Sequence, residues 1–183
     1  MDPRTRLLDL LAQRSARRGT FTLASGRQSD LYIDCRPTTM HPEGLSLIGP
    51  AGLRAIGERG WHPDSVGGLT LGADPVSYAI AYASQLAGRP TRAFTVRKEA
   101  KAHGTGKLVE GAFLSGDRVV IVEDVITTGG SALRAVEIVR AVGGTVLGVL
   151  SVVDREEGGR ETLEAAGLGV ISLVLASEIV ARM

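Results

Sequence analysis

The 183-residue sequence has little of what staples or anchors small proteins. Cys35 is its only cysteine, so an intrachain disulfide and a cysteine-cluster zinc site are both excluded, and a lone thiol suits a reducing compartment. His41, His62 and His103 are scattered, which gives no metal-ligand spacing. No apolar run reaches the roughly 18 residues a bilayer span needs; the longest, Leu168 to Ala176, reads as a strand. Neither sign of charge dominates: 21 Lys plus Arg stand against 20 Asp plus Glu, a formal net charge of +1. That balance argues against a dedicated nucleic-acid binder. No Gly-X-Gly-X-X-Gly follows an early strand. Gly104-Thr105-Gly106-Lys107 has Lys101 and Leu108 where a P-loop needs its first glycine and its hydroxyl. The N-terminal Arg4, Arg6, Arg14, Arg17 and Arg18, mixed with leucines, could mimic a transit peptide or a membrane-surface helix. Asp2 and Asp9 interrupt that basic face, so an amphipathic helix packed on the body of the protein is expected. The expectation is a cytoplasmic chain with no membrane and no nucleic-acid partner.

What is plentiful is glycine, 24 residues, nearly twice the usual share. The glycines keep no fixed period and fall at the ends of apolar runs, where tight turns and close ligand approach use them. A helix is expected over about 4–18, then short strands at 20–23 and 31–34 around Ser25-Gly26-Arg27-Gln28. A helix at 44–59 follows. From there strands at 65–69, 91–96, 118–123, 145–153 and 169–175 alternate with helices at 74–87, 131–142 and 159–167. Runs such as Arg118-Val119-Val120-Ile121-Val122 are continuously apolar, as in strands buried on both faces of a parallel sheet. The fold class is therefore α/β, a central parallel sheet flanked by helices. The whole of 1–183 reads as one domain in which about residues 1–40, outside the alternation, make a small lobe. The stretch from Arg97 to Phe113 is a long polar connection of the kind that is functional or disordered.

Ligands of open parallel sheets bind beyond the carboxyl ends of the strands. There the strongest signal is Val119-Val120-Ile121-Val122-Glu123-Asp124-Val125-Ile126-Thr127-Thr128-Gly129-Gly130-Ser131-Ala132. Glycines and a helix start bring backbone N–H groups onto an anion, and Thr127, Thr128 and Ser131 add hydroxyls. Glu123 and Asp124, acceptors when ionised, suit sugar hydroxyls or a metal-bound water. The combination suggests a phosphorylated sugar. A turn with an ordinary helix cap explains the glycines and hydroxyls equally well. Two adjacent acids closing a buried strand favour a ligand, since burying them unpartnered costs several kcal/mol.

Segment 120–132 resembles the phosphoribosyl diphosphate motif of type I phosphoribosyltransferases. The resemblance narrows to their orotate branch through Phe21-Thr22-Leu23-Ala24-Ser25-Gly26-Arg27, through Arg97-Lys98-Glu99-Ala100-Lys101-Ala102-His103-Gly104 and through Val153-Asp154-Arg155. It implies a type I fold with the N-terminal lobe as a hood. It also implies transfer of the 5-phosphoribosyl group from phosphoribosyl diphosphate to orotate, giving orotidine 5'-monophosphate and diphosphate in pyrimidine synthesis. By the same resemblance Glu123, Asp124, Val125, Ile126, Thr127, Thr128, Gly129, Gly130 and Ser131 hold the ribose and its 5-phosphate. Arg97, Lys98, Lys101 and His103 belong to a loop that closes over the diphosphate, and Thr127 and Arg155 contact orotate. Lys101, His103 and Asp124 are the catalytic candidates. Mg2+ is held mainly through the diphosphate rather than by protein ligands, and a homodimer shares its active sites. The rivals are a purine phosphoribosyltransferase and a non-catalytic donor-sensing regulator on the same fold. The chain departs from many members in carrying Ala24 and Thr70-Leu71 where they have lysines, which removes two positive charges from the diphosphate region.

Overall fold

The computed structural model describes residues 2–22, 28–99 and 107–183. Helix α1 (Pro3–Arg14) starts at Asp2, whose carboxylate accepts the Thr5 amide at 2.9 Å. It buries Leu7, Leu8, Leu10 and Leu11. Its charged face is tied down by Arg4–Glu178 and Arg182–Asp9 ion pairs. The helix stops short of the expected end because Ser15 turns the chain: its N–H donates to Leu11 O, and its hydroxyl lies 2.7 Å from Thr38 Oγ1. Residues 16–18 pair across to 31–33, so β1 (Ala16–Thr22) and β2 (Gln28–Ile33) form an antiparallel two-stranded sheet. Tertiary pairing here overrides the helix preference of an arginine-rich segment.

One short element escapes the sequence pattern next, α2 (Arg36–Thr39), and the long α3 (Pro42–Glu58) then stands where a helix over 44–59 is expected. The alternating part is β3 (Ser65–Leu69), α4 (Ala73–Leu86), β4 (Arg92–Val96), β5 (Val109–Gly111), β6 (Arg118–Ile126), α5 (Gly130–Ala141), β7 (Thr145–Asp154), α6 (Gly159–Ala165), β8 (Val170–Leu175) and a C-terminal α7 (Ala176–Val180). The sheet order is β5-β4-β3-β6-β7-β8. Its five long strands are parallel, and β5 alone runs antiparallel, along the β4 edge. That edge strand lies inside the stretch expected to be a structureless connection.

Burial on both faces follows residue by residue. Val120 and Val122 of β6 join a core with Leu7, Ile48, Ile56, Ile80 and Ile179, while Val119 and Ile121 join one with Phe94, Val136, Val139 and Leu163. Period-two geometry sends successive side chains to opposite layers, and continuously apolar β6 feeds both. Strand β6 also runs three residues past its expected end. Glu123 pairs with Ser151 and Ile126 with Asp154, so the two acids lie within the strand and not on the loop after it.

Candidate functional site

The carboxyl ends of β3 and β6, the start of α5 and the end of β2 enclose a pocket of about 320 Å3. Its walls include Tyr32, Asp34 and Arg36 from the two-stranded lobe, Thr70 to Gly72 beyond β3, and Glu123, Asp124 and Ser131. Lys98 reaches it from the segment after β4, where Arg134 of α5 donates to the Lys98 carbonyl. The turn after β3 is built around Asp74, which accepts from Thr70 Oγ1 at 2.7 Å and Thr95 Oγ1 at 2.8 Å. Gly72 lies so close to the Asp124 carboxylate that a side chain there would collide with it.

The two acids differ from surface carboxylates. Glu123 is 5% exposed, and its Oε1 has no hydrogen-bond partner among the described residues. Burial, and then the neighbouring charge of Asp124, push its pKa up to about 8. Burial likewise raises Asp124, although the Val125 N–H donates to its Oδ1 at 2.9 Å and works against the shift. In helix α5 the first bond runs from Leu133 N–H to Gly129 O at 3.0 Å, so the amides of residues 130–132 point out of the helix without a helical acceptor. Gly129 has φ 83°, the left-handed region that glycine enters without a penalty, and no side chain caps the helix. Free amides, a helix dipole and hydroxyls at 127, 128 and 131 make an anion cradle beside two acceptors.

The expected residues do not all meet in the pocket. Glu123, Asp124, Val125, Ser131 and Lys98 line it. Ile126 turns its side chain into the core, and its carbonyl accepts the Arg155 N–H at 2.9 Å. Thr127, Thr128, Gly129 and Gly130 form the turn between β6 and α5, with Thr128 and Gly130 exposed. Arg97 bonds Glu110 at 3.3 Å across the β4–β5 edge. Arg155 is not on the pocket wall. It is buried, with Nη2 donating to Glu157 Oε1 at 2.6 Å and to Leu31 O at 3.3 Å, while its Nε has no partner among the described residues. Lys101 and His103, like Ala24, lie outside the described residues. No group of three or more His, Cys, Asp or Glu converges as a metal site among the described residues.

Sequence reasoning missed Tyr32, Asp34 and Arg36. The one signal was an acid and an arginine following a short strand, in a lobe whose position over the sheet only the fold sets. A second, larger groove of about 1410 Å3 runs between α3 and α4 and past Trp61. Beside it Tyr78, Tyr82 and Leu86 of α4 are exposed.

A family profile described as the phosphoribosyl transferase domain matches residues 56–166. The orotate phosphoribosyltransferase of Aquifex aeolicus is 47% identical over 179 residues, covering 96% of this chain and 97% of the relative. That of Rhodopseudomonas palustris is 50% identical, covering 96% and 95%. The crystal structure of Mycobacterium tuberculosis orotate phosphoribosyltransferase in complex with 5-phospho-alpha-D-ribosyl 1-diphosphate superposes with a TM-score of 0.83 at 43% identity, covering 97% of this chain and 99% of that one. With similarity running the length of the chain and an anion cradle beside two buried acids at the sheet's carboxyl edge, the chain belongs to the type I phosphoribosyltransferases and, among them, to the orotate phosphoribosyltransferases.

Proposed function

We propose that the pocket between β6, α5 and the two-stranded lobe is where the chain carries out its reaction, the transfer of a 5-phosphoribosyl group from phosphoribosyl diphosphate to orotate. One observation carries this reading: Glu123 Oε1, with no partner among the described residues, and its neighbour Asp124 stand beside the amides that open α5. The 5-phosphate takes the amides of residues 130–132 with the hydroxyls of Thr127, Thr128 and Ser131. The ribose diol takes Glu123 and Asp124. Together they fix the sugar with C1 toward the lobe.

At C1 the bond to the diphosphate oxygen breaks and a bond to the orotate ring nitrogen forms, and diphosphate leaves. Positive charge builds on the sugar and negative charge on the leaving group. Asp124, held against the sugar edge, stabilises the first, and the cations Arg97, Lys98, Lys101 and His103 stabilise the second. Closure of their segment excludes water, which would otherwise hydrolyse the donor. Thr127 and Arg155 receive orotate, for which the Arg155 guanidinium has to turn from Glu157 toward the pocket. A carboxylate on the base is an acceptor for Arg155 Nε, which has none among the described residues.

The residues fit Mg2+ as a companion of the donor. Asp124 would accept from a metal-bound water, and the ion would be held mainly through the diphosphate. When bound, Mg2+ neutralises part of the diphosphate charge.

The exposed aromatic face of α4 and its groove suit a second copy of the chain, and the working unit is a homodimer that shares active sites. Its place is the cytoplasm. The deciding assay follows orotidine 5'-monophosphate formation with and without Mg2+. Orotate should be turned over and adenine or hypoxanthine should not; turnover of a purine alone overturns the assignment. Mixing inactive Lys101→Ala and Asp124→Asn variants should restore part of the activity through hybrid dimers. No recovery after proven subunit exchange rejects shared sites.

A further inference from the structure

The segment from Asp34 to Arg36 leaves β2 and enters the pocket, yet the chemistry above uses none of it. The Arg36 guanidinium is locked flat against Asp34: Nε donates to Oδ1 and Nη2 to Oδ2, both at 2.8 Å, and the Arg36 amide donates to the same Oδ1 at 3.0 Å. A surface ion pair of this kind is ordinarily a solvated ornament worth little. This one differs in two respects. Both partners line the donor pocket, with Thr70-Leu71-Gly72 and Asp124 in the same wall, and Asp124 is near enough for the two charges to act on each other. The bidentate lock also consumes only two of the five guanidinium N–H groups, so the rest are oriented in advance with the side chain half exposed.

The charge balance of the pocket points the same way. Its described lining carries three acids, Asp34, Asp124 and Glu123, the last keeping its proton up to about 8, against two cations, Arg36 and Lys98. The turn after β3 offers Thr70 and Leu71, neither of which brings charge, and residue 24 is alanine. A polyanion entering this pocket meets Arg36 as the cation already fixed in the wall, since Lys98 is exposed on the segment beyond β4.

We infer that Arg36, oriented by Asp34, is a donor-binding residue that contacts the diphosphate of phosphoribosyl diphosphate and supplies positive charge that the β3–α4 turn lacks. This rests on the pocket being the donor site. A planar fork held by one carboxylate and offered to a second oxyanion loses little side-chain freedom on binding.

The test measures binding to the full chain with Mg2+ present, using inorganic diphosphate, phosphoribosyl diphosphate and ribose 5-phosphate. Arg36→Ala should weaken the first two by about tenfold or more and ribose 5-phosphate by less than about twofold, with Arg36→Lys recovering part of the loss. In turnover the KM for the donor should rise while that for orotate stays within about twofold. Unchanged diphosphate binding in Arg36→Ala overturns the inference, as does a rise confined to the orotate KM, which would make Arg36 a carboxylate contact. Failure of the pocket reading has its own signature: wild-type ribose 5-phosphate binding indifferent to Thr128→Val and Ser131→Ala removes the donor from this pocket whatever Arg36 does.

Discussion

Two buried acids stand near opposite ends of β6, and the protein treats them in opposite ways. Asp117, just before the amino end, is 6% exposed and saturated. Its carboxylate accepts from Arg92 Nη2 at 2.6 Å, from Ser65 Oγ at 2.9 Å and from the Leu114 N–H at 3.0 Å. Glu123, toward the carboxyl end, is as buried, and its Oε1 has no partner among the described residues. Burying a carboxyl without a partner is costly, and a fold that satisfies Asp117 so fully has no stability reason to leave Glu123 open. The saturated acid pins three strands and a turn, and the open one is the acid that the proposed function gives to the ribose.

Substitution at each end should separate the two roles. The largest effect on activity belongs to the carboxyl end: Asp124→Asn should lower turnover by about a hundredfold or more, with a midpoint of thermal unfolding close to that of the wild type. Comparable losses of stability and activity would make the site a structural one. At the amino end, Asp117→Ala strips partners from Arg92, Ser65 and the Leu114 amide. It should cost roughly 3 kcal/mol of stability in denaturant unfolding while specific activity per folded molecule is kept.

Smaller, and specific to the open acid, is a pH effect. Glu123 holds its proton up to about 8 in the folded chain, against an ordinary 4.5. The folded state therefore binds a proton that the unfolded state has released, and ligand-free stability should fall as pH rises from 4.5 toward 8. Glu123→Gln should flatten that part of the stability curve; an unchanged slope would mean that another group causes it. Smallest is the exposed Arg4–Glu178 pair, where Arg4→Ala should change stability by no more than about 0.5 kcal/mol.

The same contrast shows how far the letters alone reach. The run Val119 to Val122 is continuously apolar, which marks a doubly covered parallel strand, and Glu123-Asp124 followed by Thr127-Thr128-Gly129-Gly130-Ser131 marks the end at which a ligand is proposed. Both are local patterns, set by side-chain period and by the demands of a helix start. The full length of β6 was not legible, because residues 124–126 continue the strand only through its pairing with β7. Nor was β5, a three-residue edge strand whose pairing with β4 bridges a distant stretch of chain.

Composition and order by themselves determined the α/β alternation, the glycine- and hydroxyl-rich turn that opens α5 and the exclusion of an intrachain disulfide and a cysteine-cluster zinc site, because each depends on near neighbours or on counts. Only the tertiary structure decided that Arg155 is held by Glu157 and the Leu31 carbonyl rather than lining the pocket, and that Arg36 does line it. Those placements depend on how the two-stranded lobe seats against the sheet. That seating is made by contacts between residues far apart in the chain, such as Ser15 with Thr38 and Leu31 with Arg155, which no local pattern encodes.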